Sequence, residues 1–151
     1  MTPTLRSAVR SAAVGKASGF RSSVGIGTFL MTYFDGTHYE RLATGVGVVA
    51  IAGELVADKL PSTPSRLIPP VLAGRIAAGA AGAYALARRA GDDQVSATLI
   101  GAVSAIAGSY AGYSYRGWAS KRIAPLAAAL VEDVAALAIG AAAVRDVREP
   151  W

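Results

Sequence analysis

The chain has 151 residues, enough for one domain, with 53% hydrophobic and only 17% charged residues and a formal net charge of +5. It contains no cysteine and one histidine, His38, which excludes disulfides, thiolate metal sites and a histidine metal cluster within one chain. Its fifteen basic residues are dispersed rather than gathered into a patch, so no nucleic-acid partner is expected.

The first seventeen residues are basic, rich in Ser and Ala, and lack an apolar signal-like core. They read as a weakly amphipathic helix that lies on a membrane surface or packs on the rest of the chain. Five apolar segments follow, at about 18–34, 42–57, 67–87, 95–115 and 124–144, joined by short polar connections. Prolines 61, 64, 69, 70 and 125 fall at or near segment starts, where a missing N–H is tolerated. Asp35-Gly36 marks a turn, and His38 reads as a loop residue. Tyr33, Phe34 and Tyr39, and at the other end Tyr110, Tyr113, Tyr115 and Trp118, have the distribution of interfacial aromatic belts.

A spanning helix needs roughly 20 mostly apolar residues. Only the fourth segment meets this without a charge, so a soluble Ala-rich bundle is the competing reading. Against it, segments three and four lack a polar face over 76–87 and 94–115, whereas soluble surface helices carry one. The 17 glycines also suit a bilayer, where small residues let backbones approach, although glycine costs about 1 kcal/mol against alanine in a soluble helix. Gly15, Gly19, Ser23 and Gly27 recur every fourth residue, as do Ser104, Gly108 and Gly112; both stripes are expected to be packing faces. The expected fold is an all-α integral membrane bundle of about five short Gly/Ala-rich helices, forming one domain.

With five spans, one end collects Arg6, Arg10, Lys16, Arg21, Lys59, Arg66, Arg116, Lys121 and Arg122, and the other Arg41, Arg88, Arg89, Arg145 and Arg148. The positive-inside bias then predicts a cytoplasmic N-terminus and a C-terminus on the far side. A re-entrant first segment, leaving four spans, is the alternative topology. Arg-rich usage hints at a GC-rich bacterial genome, and hence at a bacterial inner membrane.

The charges inside the apolar segments define the candidate site. Glu54 and Asp58 are four residues apart and share a helix face, with Lys59 beside them. Arg75 lies nine residues past Arg66, about 13 Å deep at 1.5 Å per residue. Arg116 closes the fourth segment, Glu132 and Asp133 lie early in the fifth, and Arg21 early in the first. Ionisable groups in spans face a partner or a water-filled cavity. In the five-span topology all these charges converge in the cytoplasmic half of the bundle, and two readings follow: a hydrated vestibule for a small ion or polar solute, or a structural ion-pair network.

"GKASGFRSS" (15–23), "GELVADKLP" (53–61) followed by Pro64 and Arg66, "GRIAAGA" (74–80) and "LVEDVAAL" (130–137) resemble the bacterial membrane proteins of the Domain of Unknown Function 4126 family. The resemblance implies a small multi-pass membrane protein and leaves activity open. The fourth segment departs from the family pattern: Tyr110 and Tyr113 of "SYAGYSYR" stand where a Ser-His and a Lys are usual. The functional expectation is transport or permeation of a small ion or polar solute, with membrane lipid and further copies of the chain as partners and no cofactor or metal. The alternative is a non-catalytic binding or assembly protein, and no enzymatic motif is present.

Overall fold

A computed structural model describes residues 4–57 and 67–148, and among these every regular element is an α-helix. There are six: α1 (Leu5–Phe20), α2 (Ser22–Tyr33), α3 (Glu40–Ala57), α4 (Pro69–Ala90), α5 (Gln94–Ala119) and α6 (Pro125–Arg148). Three of them, α4, α5 and Pro125–Arg145 of α6, are long and apolar enough to cross a membrane. The 18-residue α3 carries Glu40, Arg41 and Glu54 and does not meet that description.

The helix ends follow local chemistry. Thr4 caps α1, its hydroxyl oxygen accepting from the Ser7 N–H at 3.1 Å. Pro69 and Pro70 occupy the first turn of α4, and Gly91, at φ 70°, ends it in the left-handed conformation glycine tolerates. Asp93 then caps α5, accepting from the Val95 N–H at 3.3 Å and the Ser96 hydroxyl at 2.6 Å.

The first apolar segment is not one helix. Arg21 is extended (φ −141°, ψ 109°), so the expected span over 18–34 splits into the end of α1 and the whole of α2. The sequence Gly19-Phe20-Arg21-Ser22-Ser23 explains the break: glycine weakens the last turn of α1, and serines favour helix starts over helix interiors. The basic N-terminal stretch belongs to α1, which packs on α4, α5 and α6 and buries Ser7, Ser11, Val14 and Gly15. Of its two expected placements, the bundle is the one found.

α1 and α2 form an antiparallel hairpin. Along α4, Gly82 faces Val14 and Gly79 faces Gly15, while the Arg75 carbonyl accepts from the Ser18 hydroxyl at 3.0 Å. α1 therefore runs against α4. α2 runs with it: Gly25 lies against Ala78 and Gly82, and the Tyr33 hydroxyl accepts from Arg88 Nη1 at 3.0 Å. Both open ends of the hairpin are clasped at the C-terminal end of α4, by Arg10 to Asp92 at 2.7 Å and by Arg89 to Asp35. The tip, Arg21, is level with Arg75, six residues or about 9 Å from the start of α4.

This geometry departs from the five-span expectation and has the first segment turn back, as in the re-entrant alternative. A five-span chain would place the N-terminus beside the 120–124 connection, and the hairpin places it at the opposite end, beside the C-terminal end of α6. The glycine stripe is also divided. Gly15 and Gly19 press α1 onto α5, where an added methyl would overlap backbone of Gly101 and of Ala105–Ser109, whereas Gly27, past the break, faces Ile51 of α3. Ser104 and Gly108 meet α1, and Gly112 is buried.

Within an interior of mostly small side chains the bundle buries four charges, and it leaves large apolar side chains outside. Arg21, Arg75, Glu132 and Asp133 are all at least 96% buried, while Leu42, Val49, Val95, Val103 and Val134 are more than 60% exposed. α3 leans chiefly on α2.

Candidate charged site at the hairpin tip

Two helix ends meet at the tip. The last carbonyls of α1 point out of it with partial negative charge, and the first amides of α2 with partial positive charge. Water would satisfy such groups at a surface; here side chains do so. Arg75 Nη1 donates to the Gly19 and Phe20 carbonyls, each at 2.6 Å. The Ser109 hydroxyl adds a donor to Gly19 at 3.3 Å. Across the break, Glu54 accepts from the Ser22 N–H at 3.2 Å, the Ser23 N–H at 2.6 Å and the Ser22 hydroxyl at 3.0 Å. Arg75 Nη2 and Glu54 Oε1 close the circuit at 3.5 Å. Each charge thus neutralises the helix end of opposite sign.

Two further pairs flank this clamp. Arg21 at the tip bonds Asp133 of α6, and Arg116 Nε donates to Glu132 Oε2 at 2.6 Å. The six side chains carry three positive and three negative charges. They are not equally wet: Arg21, Arg75, Glu132 and Asp133 are almost wholly buried, whereas the side chains of Glu54 and Arg116 are 19% and 30% exposed. These two mark the accessible edge. Breaking a buried pair by removing one member costs about 3–5 kcal/mol, because a desolvated charge loses its counter-ion.

The structure therefore brings together Arg21, Glu54, Arg75, Arg116, Glu132 and Asp133, although 112 residues separate Arg21 from Asp133. Asp58, Lys59 and Arg66 lie outside the described residues. Sequence reading overlooked Ser18, Ser22 and Ser109, which bond the backbone or Glu54 around the tip, and gave Ser23, whose N–H donates to Glu54, to a packing stripe. Their available signal was the Gly-Phe-Arg-Ser-Ser string, which holds the helix-break chemistry. It also overlooked Gly25, Gly79, Gly82 and Gly101, where α2, α4 and α5 make their closest approaches. Among the described residues, no group of three His, Asp or Glu side chains could hold a metal ion.

No protein-family model matches the sequence, and no curated protein or solved structure matches it.

Proposed function

We propose that this chain is a small multi-pass protein of the bacterial inner membrane, of the kind its resemblance to the Domain of Unknown Function 4126 proteins implies, and that the hairpin tip is a permeation site for a small anion. On this reading α4, α5 and α6 span the bilayer by their own length and composition, α3 crosses only as part of the bundle, leaning on α2, and α1–α2 is a re-entrant hairpin. The apolar exterior and charged interior support the membrane placement. Non-helical backbone at membrane depth is tolerated only where protein or a water-filled cavity covers it, as at the tip.

One observation carries the choice of solute. The Glu54 carboxylate rests on two backbone N–H groups of a helix N-terminus, a serine hydroxyl and a guanidinium. That is a donor set for a small anion, and Glu54 is its resident tenant. Its partial exposure gives it room to leave. Displacement of Glu54 frees four donors, and a permeating anion occupies them while Arg75 holds the tip in shape. The solute class is small, anionic and compact enough to stand in for one carboxylate.

The Lys and Arg count follows the corrected topology. The end holding both termini of the helical bundle carries Arg6, Arg10, Arg41, Arg88, Arg89, Arg145 and Arg148; the other carries Lys16 on the tip half of α1, Lys121 and Arg122 outside the network, to which the sequence joining α3 to α4 adds Lys59 and Arg66. Seven against five favours a cytoplasmic N-terminus, and the C-terminal end of α6 with it. The tip then belongs to the outer half of the bilayer, not to the cytoplasmic half expected from the five-span topology.

The test is chloride efflux from loaded vesicles containing the purified protein. Glu54→Ala, which leaves the donors unoccupied, should raise efflux severalfold over the intact protein. Efflux at the protein-free level for both proteins would refute the reading. The second reading, a binding or assembly protein whose charges serve structure, is favoured by the pairing of all six charges. Single cysteines placed at Glu54 and Arg116 in this cysteine-free chain separate the two: labelling from the outer side supports permeation, and inert thiols support the structural role.

A further inference from the structure

A second feature lies away from the tip. Between α2, α3 and α6 runs an apolar groove of about 310 Å³, lined by Val24, Gly27 and Met31 of α2, Ile51 of α3, and Leu137 and Ala141 of α6 among others. Ligand sites span roughly 300–1,000 Å³, so the groove is at the small end of that range. It exists because α3 leans on α2 and stands off α6. From Leu137 to Arg145 it follows eight residues of α6, about 12 Å.

Arg145 closes one end of this groove. It is exposed and makes no hydrogen bond or ion pair with the described residues. Among the acids whose side chains are described at that end, Asp35 pairs with Arg89, Asp92 with Arg10, Asp93 accepts from the Ser96 hydroxyl at 2.6 Å, and Glu40 accepts from the Gly36 N–H at 3.1 Å. The groove is therefore an apolar slot with a cation at its mouth that no described acid pairs, on the more basic end of the molecule. One end requires hydrocarbon and the other an anion.

We propose that the groove binds one anionic phospholipid, with an acyl chain along α2 and α6 and the phosphate on Arg145. The inference rests on the membrane placement above but not on permeation. With the N-terminus cytoplasmic, Arg145 faces the cytoplasmic leaflet, where anionic lipids and basic pockets between spans meet. A lipid there would fill the gap between α3 and α6 and hold α3 to the bundle.

The test uses the full chain reconstituted in equal parts phosphatidylglycerol and phosphatidylcholine, extracted in mild detergent, with retained lipid and oligomeric state read by native mass spectrometry. Retention in the membrane after carbonate washing first establishes the placement, independently of any flux result. The intact protein should retain phosphatidylglycerol in preference to phosphatidylcholine. Arg145→Ala should lower that retention about fivefold, the equivalent of about 1 kcal/mol for one basic residue at an anionic surface. Ala141→Phe, which fills the groove from an exposed position, should abolish it. Arg41→Ala, which removes an exposed arginine outside this groove, should leave it unchanged. Equal retention by the Arg145 variant, or no preference for the anionic lipid, overturns the proposal. So does a lipid-free dimer that Ala141→Phe dissociates, since a second copy would then cover the groove.

Discussion

Replacing Arg75 by alanine should remove the clamp at the tip. The side chain makes two hydrogen bonds of 2.6 Å to the end of α1 and a 3.5 Å ion pair with Glu54, and it is 5% exposed. A hydrogen bond to a charged group is worth about 1.5–3 kcal/mol, but three bonds from one guanidinium do not add independently. Loss of one partner from a buried pair, at about 3–5 kcal/mol, sets the scale. The 19% exposure of Glu54 allows some rehydration, which places the expected loss near the lower end. In a domain of this size 1 kcal/mol shifts Tm by about 2–4 °C, so a loss of about 3–4 kcal/mol lowers it by roughly 6–16 °C. Thermal unfolding in mild detergent, followed by far-ultraviolet circular dichroism, measures it. Arg75→Lys keeps the charge but loses the planar fork, and should recover only part of the difference. A drop below about 2 °C for Arg75→Ala would refute the clamp.

Two other outcomes follow from the same contacts. Gly19→Val should separate α1 from α5 and lower Tm more than Gly27→Ala does, because an added carbon at Gly19 meets Ser109 and Gly108 backbone within 2.7 Å, whereas at Gly27 it meets only the flexible Ile51 Cδ1 at 3.1 Å. At the α5 cap, the Ser96 hydroxyl and the Val95 N–H hold the Asp93 carboxyl below its usual range. A depressed folded pKa stabilises above the unfolded value, about 3.9, and that stability is lost as pH falls through the lower folded value. The Tm difference between the intact protein and Asp93→Asn should therefore be present at neutral pH and disappear at strongly acidic pH; a difference constant with pH would refute the assignment.

The apolar segments were legible because composition and length suffice to recognise long helices: α4, α5 and α6 fall within a few residues of 67–87, 95–115 and 124–144. The convergence of Arg21, Glu54, Arg75, Arg116, Glu132 and Asp133 was legible for the same reason that such groups are rare in apolar helices. Their pairing was not legible, because it depends on which helix end each side chain reaches. The larger miss was at Arg21. An apolar run reads the same whether it crosses or turns back, and hydropathy carries no term for the extended residue that reverses it. Gly-Phe-Arg-Ser-Ser carried that information as a local break, but Gly15, Gly19, Ser23 and Gly27 continued the four-residue period through it and suggested one helix. Once the break is missed, the N-terminus is assigned to the wrong end, and the count of basic residues on each end changes with it.

The clamp also bears on why the hairpin exists. A continuous helix from Leu5 to Tyr33 would satisfy its own backbone and would need neither Arg75 nor Glu54. The break instead exposes carbonyls and amides in the interior and demands buried charges to cover them, and replacing a buried ion pair with apolar packing is often neutral or stabilising. An arrangement that stability alone does not favour is the kind that persists where function uses it. On the permeation reading the use is specific to position. The groups that complete the two helix ends are a cation over carbonyls and a carboxylate over amides, 3.5 Å apart, so the donors that hold Glu54 are the donors an anion would take in its place. On that reading stability and binding draw on the same contacts. A variant that frees the donors, Glu54→Ala, should be both less stable and more permeable, whereas a purely structural network would lose stability and gain nothing.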